Sequence, residues 1–252
     1  MSAVIELDGL CKNFGGIVVA DDITLDMQKG EVLGLIGPNG AGKTSLFNLI
    51  SGTVKPDAGD VRINGQAIND ISISGRARLG LSRTWQNIRL FSSLSVLDNL
   101  LIGPREYLGE SLRRTLFQPR RLGRQREADS ARAFALLEQV GLPDFWDKPV
   151  SDLPHGQQKL VGLARALMND GDCLLLDEPM AGVEGQAYET MQGVVREAAW
   201  DGKAVCVVEH NVSFIKDLCD HAVFMFAGKI IAAGTVDDLI NNEQLTELYF
   251  GA

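Results

Sequence analysis

Residues 37 to 44, Gly37-Pro38-Asn39-Gly40-Ala41-Gly42-Lys43-Thr44, match the pattern G-x-x-x-x-G-K-[ST], a spacing suited to holding phosphate groups. Glycines let consecutive backbone N–H groups curl around phosphate oxygens at a helix N-terminus. Lys43 adds charge near the β and γ phosphates, and Thr44 offers its hydroxyl to Mg²⁺. A chance glycine turn is the alternative, and the flanking sequence weighs against it. The apolar run 32 to 36 reads as a buried strand entering the loop. Leu46, Phe47, Leu49 and Ile50 then recur at helical spacing before a stop at Ser51-Gly52.

Two further groups suit the same chemistry. Leu174-Leu175-Leu176-Asp177-Glu178 ends an apolar strand on adjacent carboxylates, which suits Asp177 to hold the Mg²⁺ shell and Glu178 to polarise an attacking water. By itself, an apolar run ending in Asp-Glu is common. His210 follows the apolar pair Val207-Val208 and Glu209, where it can reach a γ-phosphate from the C-terminal edge of a sheet. A lone histidine there is more often structural. Taken alone, a phosphate loop does not separate kinases, GTPases, motors and transporters.

The elements that must position these residues follow from the rest of the chain. With 252 residues and 45% hydrophobic content, one α/β domain with a subdomain can bury an ordinary core. Val4, Ile5 and Leu7 open a short strand, and Gly15-Gly16 and Lys29-Gly30 mark turns. Val61 to Gly65 reads as a hairpin strand. From about Gln86 to Val140 the texture is helical, with Ala133, Leu136, Leu137 and Val140 on one face, closed by Gly141 and Pro143. Leu174 to Leu176, Val205 to Val208 and Ala222 to Phe226 read as strands alternating with helices, the pattern of a mostly parallel sheet.

The formal charge of −9 repels nucleic-acid phosphate, so no nucleic-acid partner is expected. Cys11, Cys173, Cys206 and Cys219 form no CxxC pair and read as reduced, structural thiols. The N-terminus lacks a basic region followed by an apolar signal core, and no apolar stretch approaches the ~18 to 20 residues that cross a bilayer. A cytosolic protein is the expectation. Arg113, Arg114, Arg120, Arg121, Arg124 and Arg126 form a basic stretch in this acidic chain, either a solvated face or a surface for anionic headgroups.

Leu153-Pro154-His155-Gly156-Gln157-Gln158 precedes Leu160, Leu163, Ala164 and Leu167 at helical spacing. This string resembles the signature motif of ABC ATPases, usually Leu-Ser-Gly-Gly-Gln. In order, the phosphate loop, Gln86, the signature, Asp177-Glu178 and His210 are similar to the ABC ATPase series across essentially the whole chain.

The resemblance implies an α/β P-loop NTPase fold with a mostly parallel core sheet, an N-terminal antiparallel β portion and an inserted helical subdomain. It divides one ABC ATPase domain, 1–252, into a nucleotide-binding core (1–85 and 166–252) and a helical subdomain with the signature (86–165). It implies ATP hydrolysis, with ATP and Mg²⁺ as cofactors. ATP would be bound by Phe14, stacked on adenine, and by Gly37, Pro38, Asn39, Gly40, Ala41, Gly42, Lys43, Thr44 and Ser45. Thr44, Gln86 and Asp177 would serve the metal, and Glu178, His210 and Gln86 the chemistry. Pro154, His155, Gly156 and Gln157 would contact ATP held by a second ATPase chain, identical or related.

Two departures stand out. Pro154 and His155 replace the usual serine and first glycine, so backbone N–H groups, with His155, are expected to carry the γ-phosphate contact. The usual D-loop Asp is also absent, since residues 180 to 185 run Met-Ala-Gly-Val-Glu-Gly.

Thr84-Trp85-Gln86-Asn87-Ile88-Arg89-Leu90-Phe91, Leu97-Asp98-Asn99-Leu100, the Arg-containing insertion before the signature and the ending Leu248-Tyr249-Phe250-Gly251 look like the ATPase subunits of branched-chain amino acid importers. The implied partners are transmembrane permease subunits, touched by the Q-loop around Gln86, and indirectly a solute-binding protein. The implied location is peripheral, on the cytoplasmic face of the inner membrane. Urea or amide importers and lipopolysaccharide exporters remain open beside that reading. A soluble ABC ATPase of translation or DNA repair would need a tandem cassette or a long coiled coil. A kinase would leave the signature helix and His210 without a purpose.

Overall fold

The computed structural model describes residues 3–110 and 116–250. Arg113 and Arg114 lie outside the described residues.

A six-stranded sheet carries the phosphate-binding sequence. Its order is β10 (Lys229–Gly234), β9 (His221–Phe226), β3 (Val32–Ile36), β8 (Ala204–Val208), β7 (Cys173–Asp177) and β6 (Leu81–Arg83). All neighbours are parallel except β10, which pairs antiparallel with β9. Parallel strands covered on both faces need apolar residues at every position, and every residue of β3, β7 and β8 is buried. The pleat then sends alternate side chains into two cores. Leu174, Leu176, Val205 and Val207 join one, and Cys173, Leu175, Cys206 and Val208 the other.

The second core fills the space under a four-stranded antiparallel sheet, ordered β2 (Ile17–Gln28), β1 (Ala3–Phe14), β4 (Ala58–Ile63) and β5 (Gln66–Ala67). Here the structure corrects the sequence reading. The opening strand has 12 residues, not a short run, and it forms a hairpin with an equally long partner that the sequence did not reveal. Helix α1 (Lys43–Ser51) sits in this core. Its last carbonyls, Leu49 O and Ile50 O, each accept a 2.7 Å bond from the buried Arg76 guanidinium of α2 (Ile73–Arg78), a cation at the negative end of the helix dipole.

The first core lies under α3 (Val96–Leu101), α4 (Pro119–Gln139), α5 (His155–Leu167) and α6 (Gln186–Trp200). Helical texture from Gln86 onward was expected, but residues 86 to 95 are irregular and the first helix there starts at Val96. Ser95 caps it, accepting from Asp98 N at 3.0 Å. Ala133, Leu136 and Leu137 form the buried face of α4, as their spacing predicts. The chain ends in α7 (Val212–Leu218), α8 (Val236–Ile240) and α9 (Glu243–Phe250). All four cysteines are free, and burial pushes the Cys219 thiol up to about 12 and the Cys206 thiol well above its ordinary value. Among the described residues, no helix is long and apolar enough to cross a membrane.

Candidate functional site

Strand register brings the candidate residues together. Leu35 of β3 and Asp177 of β7 both pair with Val208 of β8. The segments after β3, β6, β7 and β8 therefore leave one edge of the sheet side by side, carrying Lys43, Gln86, Glu178 and His210. Ligands of open parallel sheets bind at this carboxyl edge.

The loop from Gly37 to Gly42 turns tightly because two glycines permit it. Gly37 has φ 148 and a Cβ there would lie 2.0 Å from Met225 O, while Gly42 has φ 105 and a Cβ would lie 2.4 Å from Val19 O. Any side chain would force the loop off the sheet. Gly42 then precedes the first turn of α1, so the N–H groups of that turn face the loop. Lys43 is 5% exposed and its ammonium donates to Gly37 O at 2.6 Å and Pro38 O at 2.9 Å. Burial pushes its pKa below the usual lysine value, opposed by the charges of Glu178 and Asp177. Pro38 and Ala41 are buried, Asn39, Gly40 and Thr44 are exposed, and Ser45 is half-buried.

Glu178 is the hub of the edge. Gln86 Nε2 donates to its Oε2 at 2.7 Å, and His210 Nε2 lies 2.8 Å from its Oε1. Its backbone has φ 48, a left-handed conformation that costs a non-glycine residue about 1–3 kcal/mol. Two bonds hold it there: its N–H donates to Val208 O at 2.9 Å and its carbonyl accepts from Lys159 Nζ at 2.6 Å. Burial lowers the Lys159 pKa, against the charges of Glu209, Glu178 and Asp177.

Asp177 is 2% exposed and paired through Oδ2 with Arg83 at 2.8 Å. Its other oxygen, Oδ1, is buried with no hydrogen-bond partner. An unpartnered buried carboxylate oxygen beside the Thr44 hydroxyl's helix is a donor set that fits a hard cation such as Mg²⁺. Arg83 also donates to Asn48 Oδ1 at 2.8 Å and Ser51 Oγ at 2.9 Å of α1, tying β6, α1 and Asp177 into one unit. Its guanidinium stacks 4.1 Å from the Trp85 ring centroid, and Arg89 stacks on the same ring at 3.9 Å. Arg165 of α5 donates to Arg89 O at 2.7 Å.

Other residues of the site escaped the sequence reading. Glu209 is buried and accepts from Met180 N at 2.6 Å and His210 N at 3.0 Å, fixing the backbone around His210. Burial raises its pKa, opposed by those N–H groups. Tyr249 Oη lies 3.1 Å from His210 O. Lys159 and Arg83 carried no signal beyond a charged residue in an amphipathic or apolar setting, and Glu209 only its place beside His210.

The remaining candidates lie apart from this edge cluster. Phe14 ends β1, 46% exposed, with the Lys12 ammonium 5.2 Å over its ring. Pro154 caps α5 without a side-chain bond. Pro154 and His155 are exposed, while Gly156 and Gln157 are half-buried. Gln157 Oε1 has no partner. A Cβ placed on Gly182 would lie 3.3 Å from His155 Nδ1, so the imidazole covers the turn that stands where the D-loop Asp was missing. Beside the cluster, a cavity of about 280 Å³ is lined by Trp85, Ile88 and Arg89 of the loop and Gly162, Leu163 and Arg165 of α5.

Comparisons with known proteins bear on the family and the fold. Residues 20–181 match the ABC transporter family. A probable branched-chain amino acid transport ATP-binding protein of Archaeoglobus fulgidus is 34% identical over 99% of this chain and 96% of its own. A high-affinity branched-chain amino acid transport ATP-binding protein of Pseudomonas aeruginosa is 30% identical over 98% of both chains. The ADP conformation of an ATP-binding cassette of an ABC transporter superposes with TM-score 0.85 at 30% identity, covering all of both chains. A bacterial ABC transporter cassette solved as a dimer is 25% identical, with TM-score 0.75 over 92% of this chain and 98% of that one. With the phosphate loop, Gln86, Asp177-Glu178 and His210 gathered on one sheet edge and nearly its whole length shared with such subunits, the chain belongs to the ABC transporter family, as an ATP-binding subunit whose ATP hydrolysis is coupled to transport.

Proposed function

We propose that this chain is the motor subunit of an importer for branched-chain or other hydrophobic amino acids, working as a peripheral protein on the cytoplasmic face of the inner membrane. The observation that carries the motor reading is the double engagement of Glu178 by Gln86 and His210 at the edge where Lys43 and Asp177 meet. The names of the full-length relatives support the substrate class.

In this reading the loop from Gly37 to Ser45 wraps the phosphates, Phe14 stacks on adenine, and Lys43 leaves its two loop carbonyls for the β and γ phosphates. Thr44, Asp177 and Gln86 hold Mg²⁺. When bound, the ion neutralises charge on the phosphate oxygens and helps to orient them. Glu178 then accepts a proton from the attacking water, and His210, held by Glu209, faces the γ-phosphate. Gln86 and His210 must release Glu178 for that step, so the two bonds mark a resting arrangement.

We further read Pro154, His155, Gly156 and Gln157 as the contact to ATP on a second ATPase chain. The free N–H groups of the first turn of α5 suit an anion. Residues 86–165 form the helical subdomain in this reading, set in a core of 1–85 and 166–252. The cavity beside Trp85 and Arg165 is the face offered to a permease. Dimer closure on ATP and reopening after hydrolysis would bias the permease between two states.

Purification of the tagged chain from its native membranes in mild detergent tests this. Co-purifying hydrophobic permeases, with ATPase activity stimulated by branched-chain amino acids and their binding protein, are expected. Stimulation by urea or amides alone, or co-purification with lipid-export components, would overturn the substrate class and leave the motor standing.

A further inference from the structure

Outside the nucleotide site, the start of α4 carries a surface that the motor function does not use. Leu116 and Phe117 are 73% and 78% exposed in a helical turn just before the helix. Arg120, Arg121 and Arg124 follow, all exposed, and none has an ion-pair partner among the described residues. At about 100° per residue, the three arginines fall within an arc of roughly 100°. That arc points away from the buried face made by Ala133, Leu136 and Leu137. Glu127, one turn on, ends the basic run on this face.

From Leu116 to Arg126 there are four arginines and no acidic residue, in a chain whose net charge is −9. Two exposed apolar side chains, Leu116 and Phe117, stand just ahead of this basic run, and Gln125 of the same helix donates to the carbonyl of the exposed Glu106. Basic groups flanking an exposed leucine and phenylalanine match an anionic lipid surface, where the charges meet headgroups and the apolar tips enter the acyl boundary. A protein partner with an acidic, apolar patch is the other class of occupant. Lipid is favoured because a membrane surface asks only for charge of the right sign and some buried apolar area, and exposed arginines beside an exposed leucine and phenylalanine supply both.

We propose that residues 116 to 124 dock this chain directly onto anionic phospholipid headgroups, independently of which solute the transporter carries. Each arginine near such a surface contributes about fivefold in partitioning, so the three together account for about a hundredfold.

The test is flotation of the purified full chain with vesicles of phosphatidylcholine alone and with about a quarter phosphatidylglycerol. Binding is expected to the anionic vesicles only. The triple variant R120Q/R121Q/R124Q should lose about a hundredfold, and L116S/F117S about tenfold with greater sensitivity to salt. Because these side chains are exposed, ATP affinity should stay unchanged in both variants and report their folding. Equal binding to both vesicle types, or anionic binding untouched by the arginine variant, would overturn the proposal. So would crosslinks from Phe117 to a permease subunit in the reconstituted transporter, which would assign the surface to a protein partner.

Discussion

At the phosphate loop, each charged group already has partners in its own chain. Lys43 is bonded to two carbonyls, Asp177 to Arg83, and Glu178 to Gln86 and His210. At the start of α5 the conditions are reversed: Pro154 and His155 are exposed, no side chain caps the helix, and Gln157 Oε1 has no partner. The first region sits against strands buried on both faces, and the second on the rim of the helical layer. The contrast teaches that one half of the proposed site is built within the chain, whereas the other half, in the proposed reading, is completed only by a second ATPase chain, identical or related. Substitutions at the loop should act on an isolated chain, and those at α5 only on an assembled pair.

The largest effect is expected at Glu178. Glu178→Gln keeps the shape but turns one carboxylate oxygen into an NH2 donor and removes the base, so turnover of the assembled transporter should fall about 10²- to 10⁴-fold with ATP retained in a closed dimer. Normal hydrolysis would break the assignment of this end as the chemical one.

Next comes the prebuilt character of the loop region. Arg83→Ala leaves Asp177 buried without its cation, and should cost about 3–5 kcal/mol of stability in thermal or denaturant unfolding of the isolated chain. Arg83→Lys keeps the charge without the fork to Asn48, Ser51 and Asp177, and should recover only part of the loss. Unfolding indistinguishable from the parent would mean that the region is not held together as described.

His155→Ala probes the other side. Unfolding should change by no more than about 0.5 kcal/mol, since the side chain is exposed. ATP affinity of the isolated chain should be unaltered, while the ATPase rate of the assembled transporter should drop up to about tenfold. Full ATPase activity and dimerisation would make His155 structural and erase the contrast.

The smallest effect belongs to a pair distant from both ends. Asp170, just beyond α5, is held at about 2 by its hydrogen bond from Arg132 of α4. A depressed carboxylate stabilises the fold above its ordinary value of 3.8, and that stability is lost as pH falls through about 2. Asp170→Asn should therefore cost from a few tenths to about 1 kcal/mol at neutral pH, given the pair's exposure. The gap should close as pH falls from 3.8 toward 2 in urea unfolding.

What was legible in the sequence was local. The strand, loop and helix around residues 32 to 51 were readable because glycine spacing and apolar runs are fixed by neighbours along the chain. The N-terminal hairpin was not. Bulges shift the β1–β2 register at four points, between Ala3 and Ile5 and again between Leu7 and Asn13, so the two-residue alternation that marks a strand is broken. The three-residue strand β6 was too short to stand out, although it carries Arg83 to Asp177.

By itself, then, the sequence determined the identities and order of the groups proposed to meet ATP: glycines that tolerate positive φ, a lysine, two carboxylates, a histidine. These are properties of residue types and short spacings. Tertiary structure decided which of them touch. Gln86 and Glu178 are 92 residues apart in the chain, and His210 another 32 beyond Glu178. They share one carboxylate only because parallel pairing aligns the ends of β3, β8 and β7 at a single edge. Burial likewise decided that Arg83 and Lys159 face inward as fixed cations, since an isolated charge in an apolar stretch has no sequence signal for the partner that makes its burial tolerable.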